Sequence, residues 1–139
     1  MNIKDNHNHK DERGVIEMIL ESCNIGSISR ISTEANHGRA SHYHKTDGHW
    51  IIINEGQIEI FERPADSDLV PNKYILNKGD IHFTGPLIEH YMWMPCYTVF
   101  DCYSLKPRST ENYESETVRF EHNLREIYNE LSRCSCKGS

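Results

Sequence analysis

Apolar and polar positions alternate in short runs through most of this chain, and the period changes only near its C-terminal end. In residues 25–31, Ile25, Ser27, Ser29 and Ile31 fall on one face, and Gly26, Ile28 and Arg30 on the other. In 57–62, Ile58 and Ile60 alternate with Gln57 and Glu59. This two-residue period predicts extended strands. Apolar runs at 15–20 and 49–54 have strand length and polar borders. Further short strands are predicted over 39–44, 74–76, 81–84, 90–94 and 97–104, separated by turns rich in Asn, Asp, Gly and Pro. About nine short strands with a turn every few residues indicate an all-β sandwich or barrel. Phe120, Leu124, Ile127, Tyr128 and Leu131 then recur at helical spacing. They predict an amphipathic α-helix over 119–133, lying on the outside of the sheet or on a second subunit. The expected organisation is an N-terminal arm (1–14), a single β-barrel domain (15–118), the helix (119–133) and a flexible polar tail (134–139).

The stretch 38–56, GRASHYHKTDGHWIIINEG, concentrates the candidate chemistry. On a strand, His42 and His44 are two apart and share a face. Residues 45–48 read as a turn, and 49–54 returns as the second arm of a hairpin that brings His49 back beside the pair. His90 follows a second glycine-containing turn, Gly85-Pro86. Neutral imidazole is the commonest protein ligand for a borderline divalent metal. The metal reading makes His42, His44, His49 and His90 the ligands of one ion: zinc, nickel, iron or copper. The competing reading makes some of them hydrogen-bonded histidines of the core or the mouth. His7, His9, His37, His82 and His122 read as surface or structural residues.

Composition narrows the partners. At 139 residues the chain is long enough for one domain with a core of its own. A net charge of −6 argues against nucleic acid, which calls for a basic surface. No apolar run approaches the ~20 residues of a membrane span, and the polar N-terminus lacks the apolar centre of a signal peptide. The cytoplasm is the expected location. The five cysteines, Cys23, Cys96, Cys102, Cys134 and Cys136, are odd in number and irregular in spacing, which fits free thiols.

The order Gly38, His42, His44, His49, Gly56, followed by Gly79, Gly85-Pro86 and His90, resembles the two motifs of the cupin superfamily. His49 stands where that family usually has glutamate, and Gly85 and Leu87 flank Pro86 in the second motif. The resemblance implies a small jelly-roll barrel with inward ligands, and a homodimer. A narrower likeness is to the sugar-nucleotide cupins, the deoxysugar 3,5-epimerases and 3,4-ketoisomerases of surface-polysaccharide pathways. It rests on Asp11-Glu12-Arg13-Gly14 and on Arg39 three residues before His42, and it implies that His42 is a catalytic base. Residues 107–118, PRSTENYESETV, resemble the end of cupin domains attached to capsule-sugar enzymes.

Arg30 and Arg39 are candidate substrate-binding residues, since guanidinium pairs with phosphate or carboxylate in bidentate fashion. Asp101 and Tyr103 share a face of their strand and are candidate acid/base groups if that face points inward. An all-imidazole set leaves the full charge on a bound cation, which favours polarising a substrate oxygen. Three functions fit: a metal-dependent isomerase or epimerase of a sugar or sugar nucleotide, a metal oxygenase of a small molecule, or a binding module without turnover.

Overall fold

The chain's structure is a computed structural model describing residues 8–21 and 24–137. Eleven strands and two helices follow in order among these residues. A hairpin of β1 (His9–Asp11) and β2 (Gly14–Ile16) stands apart from the rest. Two antiparallel sheets then face each other. One has the order β3 (Ser27–Thr33), β10 (Thr98–Ser104), β5 (His49–Glu55), β8 (Ile81–Thr84). The other has the order β11 (Thr117–Arg119), β4 (His37–His44), β9 (Ile88–Met94), β6 (Gln57–Pro64), β7 (Asn72–Asn77). This is an all-β jelly roll. Helix α1 (Thr110–Glu116) lies between β10 and β11, and α2 (Leu124–Lys137) comes last.

Alternation decides what fills the space between the sheets. Ile51 and Ile53 of β5, Ile58 and Ile60 of β6, Met92 and Met94 of β9, and Phe100 and Cys102 of β10 form one buried cluster. Each pair is two residues apart, so one face of each strand supplies the core. Phe61 points the other way and is buried beneath α2, with its ring centre 5.4 Å from that of Tyr128. Leu124 is buried and the Arg125 guanidinium stacks over Trp93, so α2 covers the outer face of the second sheet.

Four expectations need correction. The two arms of the 38–56 stretch do not form a hairpin: β4 and β5 lie in different sheets, and residues 45–48 carry the chain from one to the other. The apolar run 15–20 does not enter the barrel. Only Gly14–Ile16 is extended, and Val15, Ile16 and Ile19 are 57, 61 and 41% exposed. The helix begins at Leu124 rather than 119, because residues 117–119 pair with β4 as an edge strand. It also runs on to Lys137 through the segment expected to be a flexible tail, since no Gly or Pro interrupts it before Gly138. Cys23, residues 1–7 and residues 138–139 lie outside the described residues, as do the side chains of Cys134 and Cys136. No helix among the described residues is long and apolar enough to cross a membrane.

The motif glycines have steric reasons. Gly56 adopts φ +89 between β5 and β6, and an added Cβ would lie 2.4 Å from Thr98 Oγ1. Gly38 sits beneath Tyr91, where a Cβ would come within 1.8 Å of the hydroxyl.

Candidate metal centre and its cavity

At one end of the barrel interior the core changes from apolar to histidine. His49 precedes Ile51 and Ile53 on the inner face of β5, His90 precedes Met92 and Met94 on β9, and β4 ends inward at His44. A bulge at Ala40–Ser41, where φ is +78 and +76, shifts the β4–β9 register and sets His42 opposite His90. All four histidines are buried. Ring centres are 4.7 Å apart for His42–His44 and for His42–His90, and 5.7 Å for His44–His90. One nitrogen from each of His42, His44 and His90 can be chosen so that all lie within 4.8 Å of one another. His49 adjoins this group, 5.8 Å from His44 and 5.2 Å from His90 between ring centres, without joining it.

The protonation of two of these rings follows from their partners. His90 Nδ1 is 3.0 Å from the Ile88 carbonyl oxygen, which only accepts, so Nδ1 carries the proton. His90 Nε2 is then a lone pair, buried and without a hydrogen-bond partner. Thr117 Oγ1 donates to the Tyr113 carbonyl at 2.6 Å, which leaves it to accept from His44 Nδ1–H at 3.2 Å. His44 therefore also presents Nε2 as a lone pair. Burial pushes the His42 pKa down to about 2 and that of His44 to about 4, and it lowers His49 and His90 as well. Each ring is neutral at pH 7, the state a metal requires. The three-histidine cluster could hold a metal: its nitrogens converge, and a buried unpartnered acceptor such as His90 Nε2 carries a desolvation cost that a cation would relieve.

The histidines open into a cavity of about 150 Å³. Ile51, Met92, Phe100 and Cys102 form its apolar part. The segment from Leu105 to β11 crosses the mouth as a strap and contributes Arg108 and Tyr113 to the lining. The strap is tied to the β4–β5 connection. The Glu116 carboxylate accepts from the backbone N–H of Thr46 and of Asp47, and Lys106 N–H donates to Asp47 Oδ1 at 3.1 Å.

Not every residue singled out from the sequence reaches this cavity. Arg39 lines it, with Nε donating to Thr33 Oγ1 at 2.5 Å and Nη2 to the Ser32 carbonyl at 3.0 Å. Arg30 does not. It is 70% exposed and forms a bidentate pair with Asp101 across β3–β10, at 2.7 and 3.0 Å. That pair holds the Asp101 carboxyl below the usual carboxylate range. Asp101 and Tyr103 thus project from the outer face of β10, the reverse of the inward placement considered from the sequence. Phe100, Cys102 and Ser104 take the inner positions, because the more apolar face of the strand turns to the core. His82 and His122 are structural, bonded to the buried carboxylates of Glu62 (2.8 Å) and Glu89 respectively. Asp47, Arg108 and Tyr113 were not singled out. Asp47 reads as a turn residue, and the other two belong to a segment without periodicity.

No protein-family model matches the sequence, and no curated protein resembles it significantly. The fold does have relatives among solved structures. The capsular polysaccharide assembling protein CapF from Staphylococcus aureus superposes with TM-score 0.63 at 15% identity, over 83% of this chain and 34% of that one. This chain therefore corresponds to about a third of the length of CapF. QdtA, a sugar 3,4-ketoisomerase from Thermoanaerobacterium thermosaccharolyticum solved with TDP, gives TM-score 0.62 at 16% identity, over 91% of this chain and 90% of that one. A 3,4-ketoisomerase from Helicobacter canadensis gives 0.65 at 20% identity, over 90% and 92%. The chain has the cupin jelly-roll fold that these proteins share.

Proposed function

We propose that this protein is a metal-dependent isomerase or epimerase acting on a sugar or sugar nucleotide in surface-polysaccharide metabolism, working in the cytoplasm as a homodimer. The observation that carries the reading is the inward, unpartnered Nε2 of His90, facing His42 and His44 in a barrel of the sugar-ketoisomerase shape. His42, His44 and His90 would hold one divalent transition metal: zinc, nickel, iron or copper. When bound, such an ion acts as a Lewis acid on a keto or hydroxyl oxygen and favours the enediol form that links neighbouring ketones.

The chain's own groups do the remaining work. His42 falls within the three-nitrogen group, so it is a ligand in this reading, and the role of proton carrier passes to His49. That imidazole is neutral, buried and adjacent to the cluster, and it can take a proton from one sugar carbon and return it to the next. The apolar wall and the strap keep bulk water from the intermediate, and Arg39 stands at the rim for an acidic part of the substrate.

The test is to incubate the metal-loaded protein with TDP-4-keto-6-deoxyglucose, a ligand of QdtA, in deuterated buffer. Proton NMR should show a new keto sugar carrying deuterium at the former ketone carbon, which receives the returned proton. Neither exchange nor product with this sugar or its epimers would reject the reading. One observation favours a second reading: three neutral nitrogen donors on one side of an open cavity also suit an iron-dependent oxygenase. Oxygen consumption by the iron-loaded protein distinguishes it.

A further inference from the structure

Arg108 is the one residue of the strap that brings a full positive charge into the histidine cavity. It is half-buried, and its guanidinium carbon lies 4.4 Å from the centre of the Tyr113 ring, which forms the adjacent wall. It lines the same cavity as His42, His44, His49 and Cys102. Among the described residues no carboxylate pairs with it. Arg13, Arg30, Arg63 and Arg119 each hold an acid, whereas Arg39 is bonded to Thr33 and the Ser32 carbonyl and Arg125 stacks on Trp93; of the arginines without an acid, Arg108 and Arg39 line the cavity.

The surroundings do not neutralise it. The four imidazoles are uncharged, and Arg39 adds a second positive charge at the rim. Among the described residues Asp47 is the only carboxylate in the lining, and it is turned to the backbone N–H groups of Lys106 and Gly48, with burial raising its pKa. The cavity is therefore positive even before a cation joins the histidines. The planar fork of the Arg108 guanidinium fits an oxyanion.

We propose that Arg108, backed by the Tyr113 ring, is an oxyanion subsite, and that the ligand held against the histidines is an acidic sugar or hydroxy acid. Its carboxylate or phosphate lies within one ring's length of the oxygen presented to His42, His44 and His90. The size supports this: cavities of about 150 Å³ hold a molecule of roughly benzene size, so the acid and the reacting oxygen belong to the same small unit. The proposal rests on the histidine cavity being the ligand site, and it names the class of ligand.

The experiment uses zinc-loaded full-length protein titrated by calorimetry with glucuronate and with its neutral isostere glucuronamide. Lactate and lactamide serve as a smaller pair, and glucose 1-phosphate as the phosphate arm. Wild type should bind an acid at least tenfold more tightly than its amide. Arg108→Gln should remove that preference while zinc stoichiometry stays the same, and Arg108→Lys should keep part of it. Tighter binding of glucose 1-phosphate than of glucuronate assigns the subsite to phosphate; the reverse assigns it to carboxylate. Equal binding of acid and amide by wild type, a preference that survives Arg108→Gln, or no binding of any acid would each overturn the proposal. Loss of the isomerase reading alone would look different: the acid preference intact, with no turnover of TDP-4-keto-6-deoxyglucose.

Discussion

His90 has its two ring nitrogens in opposite situations, one bonded to a carbonyl and one buried with nothing to bond. At His44, Nδ1–H donates to Thr117 Oγ1, which leaves Nε2 as the lone pair. Thr117→Val should keep the methyl packing and remove that acceptor. Zinc affinity should then fall by roughly 10–100-fold, as for other partners of metal-bound histidines, and an unchanged affinity in a competition titration would refute the role. His49 is tested by a pair of variants. In the arrangement described, His49→Ala leaves the three-nitrogen group intact, so zinc affinity should stay close to wild type. A large loss would make His49 a fourth ligand, and His49→Glu, which restores the residue usual in cupins, should then recover binding.

The histidines also set a pH dependence for the metal-free protein. Unfolded imidazole takes up a proton near pH 6.5. Folded His44 does so only near 4 and folded His42 near 2, because burial opposes the charged form. Between these values the unfolded state binds more protons. Stability is therefore complete above about 6.5 and declines as pH falls below it, by about 1.4 kcal/mol for each unit of gap per group. Chelator-treated protein should show a Tm that drops from pH 7 to pH 5; a flat Tm over that range would contradict the burial argument.

At the scale of elements, what could be read from the sequence was whatever depends on a period of two. Strands β5, β6 and β8 begin where the pattern places them, and the pairing of His42 with His44 on one face was legible from their spacing, while His49 and His90 were joined to them by the resemblance to the two cupin motifs and not by the expected hairpin. Which face of a strand points inward was less accessible. β10 carries Val99, Asp101 and Tyr103 on one side and Phe100 and Cys102 on the other, and only the packed barrel selects between them. Sheet membership was hidden altogether, because a four-residue connection such as 45–48 serves a hairpin or a crossing between sheets equally well. The strap left no periodic trace, since its hold comes from single contacts such as Glu116 with the Thr46 and Asp47 N–H groups. Gly56 is a feature that the motif marks and the structure explains. Gly56→Ala should destabilise by about 1–3 kcal/mol, through its positive φ and the approach to Thr98. Denaturant unfolding would measure it, and a loss below about 0.5 kcal/mol would mean that the turn relaxes freely.

Taken as one molecule, the barrel has a closed, apolar end and an end given over to histidine, with Arg108 and Tyr113 above it. Its outside is less complete: Val15, Ile16, Ile28 and Phe83 are exposed apolar side chains. A second copy covering part of this surface accords with the proposed homodimer. Sedimentation should give twice the 16.2 kDa chain mass, and a monomer at high concentration would exclude it. The reading of the whole rests on the histidine cluster holding a metal. Elemental mass spectrometry of the purified protein and of His90→Ala, each after equilibration with zinc and desalting, addresses this directly. Wild type should carry close to one metal per chain, and His90→Ala, with one of three ligands gone, very little. Wild type without metal, or His90→Ala with a full complement, would contradict the assignment.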